Sequence, residues 1–207
     1  MIRIGIELNN VIRNINKQIL KYYQKDIKPE LDIDEIDEKD DPFKYCTFNN
    51  PTEKTEFVYI DYPYELFGCA KTMSKDLPTL LNNWMSEMTN IEDEDFAITY
   101  YSLNEEALTI QSSFFFLSKI GTRVREVTFP KKPEEVWEKC DVVISANKNV
   151  LDIKPKDKIS VKISSLHDNN KSECDFEYDS MSNLIKDNDF IHKIIELCQK
   201  RKKESNS

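Results

Sequence analysis

The chain has 207 residues, 39% of them hydrophobic and 32% charged, with a formal net charge of −9. That length suits one domain with a sizeable core and an insertion, and the acidic balance disfavours broad binding to nucleic-acid phosphate. No stretch approaches the roughly 20 apolar residues of a membrane-spanning helix, and the five cysteines at 46, 69, 140, 174 and 198 form no close pair. A soluble protein of a reducing, cytosolic-type compartment is expected, with neither nucleic acid nor membrane as a partner.

Residues 2–8 (IRIGIEL) read as a buried strand running into a turn, with Glu7 and Asn9 at its end. Residues 11–24 read as an amphipathic helix, because Val11, Ile12, Ile15, Ile19, Leu20 and Tyr23 recur near helical spacing. From 28 to 56 the chain is acidic and polar, broken by Pro29, Pro42 and Pro51. Its run ELDIDEIDEKDD reads as a solvated face anchored by Leu31, Ile33 and Ile36, since the glycine turn of a calcium loop is missing. The aromatic stretch FVYIDYPYELFGCA (57–70) suits a core or an interface, and DLPTLLNNWMSEM (76–88) a helix.

After residue 94 strands and helices alternate. FAITYYS (96–102), RVREVTF (123–129), DVVIS (141–145) and KISVKIS (158–164) read as strands, and DFEYDS (175–180) as an edge strand. Helices are expected at 104–121, closed by Gly121, at 132–140, and at about 182–202. The basic cluster at 200–203 suits a solvated helix C-terminus, and His192 a helix surface. His167 falls in a loop after a strand. This alternation predicts an α/β fold with right-handed crossovers and a mostly parallel sheet. With three glycines in the whole chain, a glycine-rich phosphate loop is excluded.

In such a sheet chemistry gathers beyond the C-terminal strand ends. Three of those ends deliver Glu7 and Asn9, Ser102, and Ser145, Ala146 and Asn147. The ordered set IELNNVI, ITYYS, FPKKPEEVWEK and DVVISANKNVLDIKPKDKISVKI resembles the haloacid dehalogenase (HAD) superfamily of phosphatases and nucleotidases. The resemblance covers residues 1–24 and about 95–198. It implies a Rossmann-like core from 1–27 and 95–204, with 28–94 as an inserted cap over the strand ends. In that family the first strand ends in two aspartates, the second in Ser or Thr, a lysine follows, and a further strand ends in an acidic pair.

The departures from that pattern are chemical. The resemblance places Glu7 where the family has an aspartate that attacks phosphorus and binds magnesium. One added methylene displaces the carboxylate by about 1 Å, a misplacement that costs on the order of 10²-fold. Asn9 stands for the aspartate that exchanges a proton, which an amide cannot do near neutral pH. Ser145 and Ala146 stand for the acidic pair that completes the magnesium site. Ser102 is left as a phosphate donor, with Lys131, Lys132 or Lys139 as the counter-charge.

The resulting expectation is a pseudoenzyme without metal or cofactor. It would serve as an interaction or structural subunit, with a protein partner or a second copy touching residues about 42–90. The lysine- and asparagine-rich composition suits an AT-rich bacterial or phage genome, and a phage particle is the specific version. The competing expectations are a weak magnesium-dependent phosphatase using Glu7 and a sensor that binds a nucleotide or phosphate through Ser102 and a lysine.

Overall fold

The computed structural model describes residues 1–36, 41–88, 95–123, 125–164 and 173–205, with side chains described through residue 200. His167, residues 37–40 of the acidic run and the side chains of 201–203 lie outside the described residues.

Six strands form one sheet: β1 (Ile2–Glu7), β2 (Phe96–Tyr101), β3 (Glu126–Thr128), β4 (Val142–Ser145), β5 (Ile159–Ile163) and β6 (Phe176–Tyr178). Their order is β3-β2-β1-β4-β5-β6, and every neighbouring pair is parallel. The α/β class and parallel sheet are those the alternation predicts. Strand order reverses direction between β1 and β4, which is where a doubly wound sheet opens a crevice.

Side-chain parity assigns the two faces. Ile2, Ile4 and Ile6, Tyr100, Val142 and Ile144, and Ile159, Val161 and Ile163 point to one face. There they pack against α3 (Leu77–Met88), α4 (Ala107–Ile120), α7 (Met181–Lys186) and α8 (Phe190–Ser205). On the other face Tyr101 and Val143 meet α5 (Pro133–Lys139) and α6 (Lys148–Leu151) through Val136, Trp137, Cys140 and Val150. Glu7, Ser145 and Lys162 share the parity of this second face, so their side chains gather at one end of it.

Gly5 lies on that face too, and a Cβ there would sit 2.6 Å from the Cys140 sulfur. Gly5→Ala is therefore expected to destabilise by about 1–3 kcal/mol through overpacking. Thermal unfolding checks this, and Gly5→Ala combined with Cys140→Ala should recover most of the loss.

The helix expected over 11–24 begins later. α1 spans Ile15–Asp26 with Asn14 capping it, its side chain accepting from Lys17 N–H. Residues 8–14 instead form a tight turn with Asn10 at φ 61°, where Leu8, Val11 and Ile12 are buried as loop residues. The single last helix is two: α7 and α8 are separated at Asp187, whose carboxylate accepts from the Tyr178 hydroxyl at 2.7 Å and Lys193 Nζ at 3.0 Å.

The chain leaves the core and returns at one neck. Asn14 N–H donates to Lys71 O at 2.8 Å, and Met73 N–H to Ile12 O at 2.9 Å. Between these points α1, a short 3₁₀ turn (Pro42–Lys44), α2 (Pro51–Glu56) and two wide turns (Phe57–Asp61 and Tyr64–Gly68) build a separate apolar cluster. Ile15, Ile19 and Tyr23 meet Phe57, Val58 and Phe67 there.

Packing thus draws the changeover at about 14 and 71, where 27 and 95 were expected. α1 belongs with the aromatic stretch and α3 with the sheet. Amphipathic spacing marks a buried helix face without saying which of two cores receives it.

Candidate functional site

A cavity of about 660 Å³ lies at the C-terminal strand ends, lined by both the sheet and the segment beyond the neck. Glu7, Asn9 and Ala146 contribute from the strand ends, with Asn10 and Asn16 beside them. Pro42, Phe43, Lys54, Val58, Tyr59 and Phe67 contribute from the segment.

Glu7 follows the last inward isoleucine of β1, so its carboxyl is drawn into the fold. It is 4% exposed. Its Oε2 accepts from the Ser145 hydroxyl at 2.6 Å and from Ala146 N–H at 3.0 Å. Asn147 N–H in turn donates to Ser145 Oγ at 2.9 Å. Burial raises the Glu7 pKa from 4.5 to about 7, against the lowering pull of those donors and of Arg13. Tyr101, in register with Glu7 on β2, is held well above the usual tyrosine range by burial, reinforced by the Glu7 charge.

Asn9 and Ser102 are tied to a residue that no motif reading singled out. The Arg13 guanidinium is fully buried. Its Nε donates to Asn9 Oδ1 at 2.7 Å, its Nη1 to Ser113 Oγ at 2.6 Å and Phe67 O at 3.3 Å, and its Nη2 to Ser102 Oγ at 3.3 Å. Nη2 also forms an ion pair with the fully buried Glu105. Ser113 closes the network by donating to Glu105 Oε2 at 2.6 Å, and Asn9 Nδ2 donates to Ser102 Oγ at 3.2 Å. The rings of Phe67 and Phe116 lie 4.9 Å and 5.7 Å from the guanidinium carbon. Burial lowers the Arg13 pKa, and Glu105 opposes that first.

Of the residues singled out in the sequence, Glu7, Asn9, Ser102, Ser145 and Ala146 come together. Lys132 does not: it is an exposed residue at the N-cap of α5 and does not line the cavity. Lys131 Nζ reaches the backbone oxygen of Glu105 at 2.7 Å, and Lys139 is exposed. None of these three lysines lines the cavity. The cation that contacts Ser102 is Arg13, inside a stretch read as the start of a helix. A polar residue between the buried pairs Val11–Ile12 and Ile15–Ile19 is the signal that could have exposed it. Among the described residues, no three His, Cys, Asp or Glu side chains gather to hold a metal ion.

No family model matches the chain, and no curated protein matches it in sequence. Among solved structures it is similar to a haloacid dehalogenase-like family hydrolase from Xanthomonas campestris. That similarity has a TM-score of 0.49 at 10% identity, covering 98% of each chain. At this distance no residue role passes from one chain to the other.

Proposed function

We propose that this chain is a non-catalytic protein on a HAD-like scaffold, acting through what it binds. The observation that carries this reading is the engagement of Asn9 and Ser102 by Arg13. Both faces of the Asn9 amide are used within the fold, and the Ser102 oxygen accepts two hydrogen bonds beneath the cavity floor. A proton-exchanging carboxylate and a free phosphate donor are what phosphoryl hydrolysis needs at these places. Here the same two positions fasten the neck of the inserted segment to the sheet. Segment and strand ends then act as one wall around the cavity, and a small-ligand sensor is the version the cavity favours.

The interaction-subunit version rests on the surface. Phe57 and Phe67 of the aromatic stretch are buried, while Ile60 and Tyr64 are 61% and 46% exposed. The Tyr64 ring lies 5.1 Å from that of Phe115, itself 44% exposed. A partner of this chain, or a second copy, would cover this apolar patch. Light scattering at rising concentration, with hydrogen exchange across 42–90, tests it: protection that stays unchanged in a monomer counts against it. Composition alone supports a phage-particle version.

The alternative is weak magnesium-dependent phosphatase activity from Glu7. Titrating magnesium against p-nitrophenyl phosphate, in the native chain and in Glu7→Ala, separates the two. The expected result is release at background rate in both. A rate that rises with magnesium and vanishes in Glu7→Ala would establish hydrolysis.

A further inference from the structure

The cavity is amphipathic in a way that the strand-end residues do not explain. Ile15, Ile19 and Val58 line it and are 6%, 4% and 7% exposed, so little of their surface meets solvent elsewhere. Its charged lining consists of Lys54, Lys148 and Lys162 against Glu7 and Asp41, and Lys162 Nζ already pairs with Glu177 at 3.2 Å. Lys54 and Lys148 are the cations that face an incoming anion there, in a chain whose net charge is −9.

Both carboxylates are already held by protein donors, Glu7 by Ser145 and Ala146 and Asp41 by the Phe43 N–H at 3.0 Å. Lys148 pairs with Asp152 at 2.6 Å across a surface where the two are 44% and 38% exposed, a pair too solvated to keep it from a ligand. Lys54 Nζ stands 3.5 Å from the centroid of the Phe43 ring, so charge and flat apolar surface are presented together. The hydroxyls of Ser102 and Ser145 are fully buried and do not line the cavity. The volume of about 660 Å³ falls in the range that encloses a drug-sized molecule.

We infer that the cavity binds an organic anion with an aromatic or branched apolar body. Lys54 and Lys148 hold the charge, and Ile15, Ile19 and Val58 hold the body. This assignment rests on the non-catalytic reading and narrows it to a ligand class. A carboxylate and a phosphate ester both carry that charge, and the lysines supply what either needs.

Calorimetric titration of the full chain with phenyl phosphate, benzoate, glucose 6-phosphate and inorganic phosphate tests it. Phenyl phosphate or benzoate should bind roughly tenfold more tightly than inorganic phosphate, because each brings apolar surface to bury. Glucose 6-phosphate, whose body is polar, should follow inorganic phosphate. Lys148→Ala should weaken the preferred ligand by about tenfold, as loss of a charged hydrogen bond does. Phe43→Ala should reduce the preference for the aromatic body. Circular dichroism confirms that both variants fold.

Equal affinity for inorganic phosphate and phenyl phosphate, or no binding of any of the four, overturns the assignment. So does unchanged affinity in both folded variants. Phosphorus NMR of the final mixture separates the two readings. Intact ester agrees with both, whereas released phosphate overturns the non-catalytic reading and leaves the ligand class standing.

Discussion

Arg13→Ala is expected to cost about 3–5 kcal/mol, because it leaves the fully buried Glu105 carboxylate without its cation. For a chain of 207 residues that lowers the melting temperature by about 10 °C. The loss should exceed that of any surface ion pair, such as Lys193 with Asp187, which is worth about 0–1 kcal/mol. Arg13→Met combined with Glu105→Leu should recover much of it, since replacing both members of a buried pair by apolar groups is often close to neutral. Recovery stays incomplete because Asn9, Ser113 and the Phe67 oxygen also lose a donor. Urea unfolding of the three proteins measures this. A cost below about 1 kcal/mol for Arg13→Ala would mean that water replaces the guanidinium, and that Asn9 and Ser102 are not held by it.

The same network marks the boundary of what the sequence could reveal. β1, β2 and β4 were legible because short runs rich in β-branched or aromatic residues, such as IRIGI and VVI, are too short for helices and alternate with helical stretches, as strands of a covered parallel sheet do. Gly121 was legible as a helix end, and it takes φ 66° there. The strand-end rule then put Glu7, Ser102 and Ser145 at one end of the sheet without any knowledge of contacts.

Arg13 was not legible, because its partners Asn9, Phe67, Ser102, Glu105 and Ser113 are brought to it from four separate stretches of chain. Local pattern carries no record of such convergence. α1 was legible as a helix but not as a member of the outer cluster, since Ile15, Ile19 and Tyr23 would suit either core. The break at Asp187 was hidden for the opposite reason. It depends on a side-chain bond from Tyr178 on an edge strand, which helical spacing cannot register.

Glu7→Gln is expected to stabilise the chain at neutral and alkaline pH and to leave it unchanged near pH 4. The carboxyl titrates at about 7 when folded, against 4.5 for an ordinary glutamate, so the folded chain holds its proton more tightly. Between those two values the folded state carries the extra proton, and stability falls as pH rises through that window. Above about pH 7 both states are ionised and the loss is complete, at about 3 kcal/mol for a difference of this size.

Glutamine keeps an oxygen for Ser145 and the Ala146 N–H while carrying no charge, so it isolates this one titration. Urea unfolding of both proteins from pH 4 to 8.5 should show a gap that opens between about 4.5 and 7 and stays level beyond. A variant less stable than the native chain at pH 8 would show that the ionised carboxylate is a stabilising partner in the fold. Repeating the pH 8 measurement with magnesium divides the readings of the site again. A bound cation would favour the ionised carboxylate and raise the stability of the native chain alone, whereas a site that holds no metal leaves the gap unchanged.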